Sequence, residues 1–101
     1  MPLRVRKSDI KVGEKKVFKD GEKEILVIYL GGNKFIAVNN KCPHLGCKLD
    51  KTGVIIREEL ICQCHFTHFS LSTGEPRKGA TKKQLIIYKV NDKGDEIEVE
   101  T

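Results

Sequence analysis

Residues 42–69, CPHLGCKLDKTGVIIREELICQCHFTHF, decide how this chain is to be read. They hold a CxH, Cys42 with His44, and a CxxH, Cys62 with His65, separated by the seventeen residues from Leu45 to Ile61. Each pair offers one soft thiolate and one borderline imidazole, ligands that suit iron, zinc or copper rather than calcium or magnesium. A structural zinc site takes a CxxC or CxxxxC knuckle in one loop and paired ligands in another, and CxH is too tight for that pattern. Two loops that each give one Cys and one His fit instead a two-iron, two-sulfide cluster, with both thiolates on one iron and both imidazoles on the other.

CPHLGC followed by CQCH resembles the Rieske iron-sulfur signature. The resemblance is close over the two loops and otherwise rests on strand pattern and overall length. It implies one [2Fe-2S] cluster per chain, with Cys42 and Cys62 the thiolate ligands of a buried iron and His44 and His65 the imidazole ligands of the outer one. Zinc in the same four positions, or core cysteines beside incidental histidines, are the competing readings. Members of the family that resemble the respiratory-complex type carry a cysteine at the places of Cys47 and Cys64, joined as a disulfide that clamps the loops. The resemblance therefore implies that bond here, against two free thiols acting as small hydrophobes.

Outward from the loops, apolar alternation is short in period and often broken by turn residues, which points to β-structure. Leu3 to Val5 is a candidate strand, and Lys16 to Lys19 another that turns through Asp20-Gly21 into Glu24 to Leu30. Gly31-Gly32-Asn33 then leads into Lys34 to Val38, completing a meander. Between the ligand loops, Thr52-Gly53 marks a turn, with short strands at Val54 to Ile56 and Leu60-Ile61. Ser72 to Thr81 reads as an ordered loop near the cluster, Leu85 to Val90 as a strand, Asn91 to Gly94 as a turn and Glu96 to Glu100 as the last strand.

This order is similar to the Rieske architecture, an all-β fold with an antiparallel β-sandwich or barrel-like base built from both ends of the chain. A small cluster-binding subdomain is then expected at about residues 40 to 70 of a single domain, residues 1–101, whose modest core a metal centre would stabilise. Pro43 would stiffen the first loop and Gly46 would permit close backbone approach, unless both are ordinary turn residues.

A two-iron cluster shuttles between states one electron apart, so the expected role is electron transfer, with no catalytic residues. The chain has no HExxH, no Ser-His-Asp ordering and no phosphate-cradling glycine loop. Hydrogen bonds to cluster sulfurs tune the potential. High-potential members of the family carry Gly, Ser and a later Tyr after the second histidine, where this chain has Phe66, Thr67 and Phe69. Thr67 retains a hydroxyl, Phe69 does not, and the Gly-Pro-rich covering loop is reduced to Pro76, so the resemblance implies a low-potential carrier. His68 reads as a hydrogen-bonding surface residue rather than a fifth ligand.

The chain carries 19 Lys and Arg against 14 Asp and Glu, a net charge of +5, without the stacking platform or recognition-helix pattern of a nucleic-acid binder. Arg77, Lys78, Lys82 and Lys83 are candidates to border the cluster and steer an acidic redox partner. Charged residues make up 33%, with one Met, no Trp and only Gln63 and Gln84 as glutamines, a usage that suits a thermophile and tolerates an intracellular disulfide. No apolar run is long enough for a signal peptide or membrane span, and the expectation is a cytoplasmic, soluble monomer. The function expected is a ferredoxin passing electrons from a reductase to an oxygenase or another terminal oxidoreductase. A small subunit of a larger redox enzyme and a zinc-binding structural module are the alternatives.

Overall fold

The computed structural model describes residues 3–43, 46–64, 66–78 and 83–101. Strand β1 (Leu3–Arg6) runs into a 3-10 turn, Lys7–Asp9, and is followed by β2 (Lys15–Asp20), β3 (Lys23–Gly31) and β4 (Lys34–Asn39). One helical turn, α1 (Leu49–Thr52), precedes β5 (Gly53–Ile56), β6 (Glu59–Cys62), β7 (Thr67–Ser70), β8 (Pro76–Lys78), β9 (Ile87–Asp92) and β10 (Glu96–Glu100). Among the described residues these strands form a six-stranded sheet, β1-β10-β9-β4-β3-β2, and a four-stranded sheet, β5-β6-β7-β8. The architecture is all-β, as the sequence pattern leads one to expect. The chain divides into two compact units, Met1–Val38 with Tyr88–Thr101, and Asn39–Ile87.

The first unit is built from both ends of the chain. Its meander turns at Gly21 and again at Gly32-Asn33, where both φ angles are positive (57° and 62°), the geometry that suits a two-residue hairpin. Ile25 and Val27, Phe35 and Ala37, and Ile97 and Val99 alternate onto one face and pack with Val5 and Ile10 into a buried core. Apart from Ala37, whose single methyl contributes less, each such side chain contributes about 1.5–3 kcal/mol relative to remaining exposed. Leu26, Ile28, Ile36 and Val38 are buried as well, so β3 and β4 are covered on both faces and read as near-continuous apolar runs. The Thr101 hydroxyl donates to Asp20 Oδ2, linking the end of β10 to the end of β2. Those strands lie four places apart in the sheet order, so the sheet must curl, as a barrel-like base requires.

In the second unit Leu60 and Phe69 are cross-strand partners, both fully buried together with Leu49. Three local expectations need correction. A helical turn, Leu49–Thr52, stands where a simple Thr52-Gly53 turn was expected, closed by the Gly53 N–H donating to the Leu49 carbonyl. Only glycine fits there, because a Cβ would collide with that same carbonyl oxygen. The expected loop from Ser72 to Thr81 contains strand β8, in which Pro76 pairs with Phe69. As an edge strand it tolerates proline. Finally, β9 begins at Ile87 rather than Leu85. The Leu85 N–H donates to Gly74 and the Ile86 carbonyl accepts from Asn39, which keeps both residues out of the ladder.

Candidate metal centre

The first ligand loop leaves the end of β4 and folds back on itself. The Cys42 N–H donates to the Cys47 carbonyl and the Gly46 N–H to the Cys42 carbonyl, each at 2.8 Å, and a Lys41–Lys48 bridge extends the closure. Gly46 sits at φ +72°, and among the described residues nothing lies within 4 Å of where a Cβ would stand. Its left-handed backbone is the geometry of a turn residue, and the open space at its Cβ position leaves room for a group to approach the backbone there. Asn40, fully buried, anchors the base of the loop to α1. Its Oδ1 accepts from the Asp50 N–H at 2.8 Å, and its Nδ2 donates to Asp50 Oδ1 at 2.9 Å. Sequence reasoning missed this residue, whose only signal is a polar side chain at the end of an apolar strand.

The second loop leaves β6, whose last residue, Cys62, is fully buried and pairs across the sheet with Gly53 and Thr67. Cys42 is 2% exposed, and both thiols stand outside the disulfide. Cys47 and Cys64 are bonded, linking one loop to the other, and their sulfurs lie with Cys62 Sγ within 4.8 Å of one another. His44 and His65 lie outside the described residues. The structure thus brings Cys47, Cys62 and Cys64 together and buries Cys42.

Thr67 is fully buried, and its Oγ1 finds no hydrogen-bond partner among the described residues. A buried hydroxyl left so costs about 1–3 kcal/mol unless an acceptor is supplied. Phe69, also fully buried, belongs to the sheet core between Leu60 and Pro76, and Pro76 is half-buried. Phe66 is 68% exposed and holds φ at +53°. His68 Nδ1 lies 3.2 Å from Glu59 Oε1, and Arg77 Nε lies 3.7 Å from Glu59 Oε2. These three make a partly exposed surface network, in keeping with a hydrogen-bonding rather than ligating His68.

Two buried thiols on loops held by a disulfide, with a buried hydroxyl lacking an acceptor on the strand beside Cys62, fit a group that carries anionic sulfur. When bound, a [2Fe-2S] cluster supplies reversible one-electron chemistry, and thiolates suit one of its irons. No helix among the described residues is long and apolar enough to cross a membrane.

The ferredoxin of carbazole 1,9a-dioxygenase from Nocardioides aromaticivorans IC177 has a similar structure, with a TM-score of 0.82 and 29% sequence identity over 97% of this chain and 95% of that one. A chain from a complex of reduced oxygenase and oxidized ferredoxin in carbazole 1,9a-dioxygenase matches with a TM-score of 0.85 and 25% identity over 97% and 91%. The Sphingomonas yanoikuyae B1 ferredoxin, at 18% identity and a TM-score of 0.84 over 100% and 99%, shares the fold. The family model of the Rieske [2Fe-2S] domain matches residues 3–89. With that match spanning both loops and most of both sheets, this chain belongs to the Rieske [2Fe-2S] domain family and is an electron carrier built around a [2Fe-2S] cluster.

Proposed function

We propose that Cys42 and Cys62 hold one iron and His44 and His65 the other, and that the protein carries single electrons from a reductase to an oxygenase. The observation that carries this reading is the pair of buried thiols, Cys42 and Cys62, on two loops clamped by Cys47–Cys64. The similarity to a dioxygenase ferredoxin over 95% of that protein's length supports a free-standing carrier over a subunit of a larger enzyme. The unit Asn39–Ile87 holds both cysteine-bearing loops and would carry the cluster, and the two units together make up one functional domain.

Phe69, where a hydroxyl would raise the potential, supports a value toward the low end of the family's range of roughly −150 to +300 mV. The net charge of +5 favours an acidic partner surface. The test is stopped-flow mixing of the chemically reduced protein with oxidized Rieske oxygenases. Reoxidation by one electron per chain, slowed by salt, is expected; a protein that transfers to none of them but copurifies with a redox enzyme is a subunit instead. We assign the carrier to the cytoplasm, alongside the soluble reductases that would feed it. Recovery in an exported fraction of the source cells contradicts that assignment.

A further inference from the structure

The hydroxyl oxygen of Thr52 lies 3.8 Å from Cys62 Sγ. We propose that Thr52 is a positioning residue that donates a hydrogen bond to this sulfur when it is a metal-bound thiolate, and so raises the potential of the centre. The inference rests on the assignment of Cys62 as a ligand.

The proton for that bond is at hand. The Thr52 hydroxyl also lies 3.0 Å from the Lys48 carbonyl oxygen. That oxygen already accepts from the N–H groups of Lys51 at 3.1 Å and Thr52 at 3.0 Å, which account for its two lone pairs. The hydroxyl proton is surplus there. A thiol sulfur is a weak acceptor, but a thiolate is a charged one, and charge-assisted hydrogen bonds are about twice as strong as neutral ones. Redirecting the proton from Lys48 to Cys62 needs only rotation about the Cβ–Oγ1 bond, with no heavy atom moving.

The distance is held by the fold on both sides. Thr52 ends α1, its carbonyl accepts from the N–H of Gln63, next to Cys62, at 2.9 Å, and the following Gly53 is the cross-strand partner of Cys62. Its β-branched side chain is stiff at χ1. Cys62 is fully buried, where a single donor counts for more than in water. A donor to a ligand sulfur stabilises the more negative, reduced state and therefore raises the potential.

Thr52→Val in the cluster-loaded protein removes the hydroxyl at nearly constant volume. Protein-film voltammetry should show the one-electron equilibrium shifted about tenfold against reduction, a fall of ~59 mV. Thr52→Ala should fall likewise, and Thr52→Ser should stay near the parent. Resonance Raman bands of the cysteinyl iron–sulfur stretch should shift in D2O for the parent and Thr52→Ser, and shift less for Thr52→Val. Unchanged potential in Thr52→Val and Thr52→Ala at full iron and sulfide content overturns the proposal. The parent protein needs no variant, and the absence of any deuterium shift in it does the same. Cys62→Ala separates the two readings. Loss of the cluster there alongside an unshifted Thr52→Val defeats the role of Thr52 alone, whereas a cluster that survives Cys62→Ala defeats the ligand assignment beneath it.

Discussion

Cys47 and Cys64 are covalently joined across a sequence separation of 17, so the loop after β4 and the loop after β6 cannot part without breaking that bond. Closing a loop of this size restricts the unfolded chain and stabilises the fold by about 3 kcal/mol. The cluster-free protein carrying Cys47→Ser and Cys64→Ser should lose roughly that much unfolding free energy. Urea titration with and without a reductant measures it in the parent, and coincident curves would show that the bond contributes nothing.

Thr67 has the opposite character, a buried hydroxyl with no partner among the described residues. Replacing it with valine removes an unsatisfied group without opening a cavity, so cluster-free Thr67→Val should be as stable as the parent or more so, by up to about 1 kcal/mol. In the loaded protein the same change should lower the potential, because Thr67 sits opposite Cys62 in the β6–β7 pairing. Thermal melts of the cluster-free form and voltammetry of the loaded form check the two signs.

Gly74 holds φ at +80°, and a Cβ there would strike the Leu85 carbonyl oxygen. Its N–H donates to Ser70 and its carbonyl accepts from Leu85, both at 2.7 Å, so it ties the segment before β9 to the sheet of the second unit. Gly74→Ala combines backbone strain with that clash and should cost about 2 kcal/mol or more. A chemical denaturation midpoint within error of the parent would show that the segment moves aside freely.

Asp92 has its carboxyl pKa lowered from 3.8, chiefly by the hydrogen bond from Lys7 Nζ at 2.7 Å and then by the Gly94 N–H at 2.9 Å. A carboxyl whose folded pKa is depressed stabilises the fold above its unfolded pKa, and that contribution is lost as pH falls through the folded value. Asp92→Asn should therefore be less stable than the parent at neutral pH, with the gap closing below about pH 4 and narrowing in high salt. A gap independent of pH would assign the effect to packing.

Much of this could be read in the residues before any coordinates. Strand β10 has the bounds its alternation marks, and β2, β3 and β4 each extend the expected run by a residue or so. The strands that escaped notice depend on partners far off in sequence. Thr67–Ser70 has one large apolar residue, Phe69, and is a strand because β6 lies beside it. Pro76–Lys78 reads as a loop until β7 offers it a ladder. The offset of β9 has a similar origin, since Leu85 and Ile86 are apolar enough for a strand but spend their backbone groups on Gly74 and Asn39. At the centre itself the residue types and spacing that point to metal ligands stand out in the chain, because metal chemistry constrains them directly. Asn40, which ties the first loop to Asp50, and Thr52 beside Cys62 do not, because nothing local in the chain says which partner a fold will bring to an amide or a hydroxyl.

The central claim is that two cysteines and two histidines share one pair of bridged irons. Pulsed electron paramagnetic resonance of the reduced protein tests it most directly. The account expects a half-integer spin signal coupled to two strongly bound nitrogen nuclei, one of which disappears in His44→Cys and the other in His65→Cys. A reduced cluster with no strongly coupled nitrogen, or purified protein with no such signal and zinc in place of iron, contradicts it.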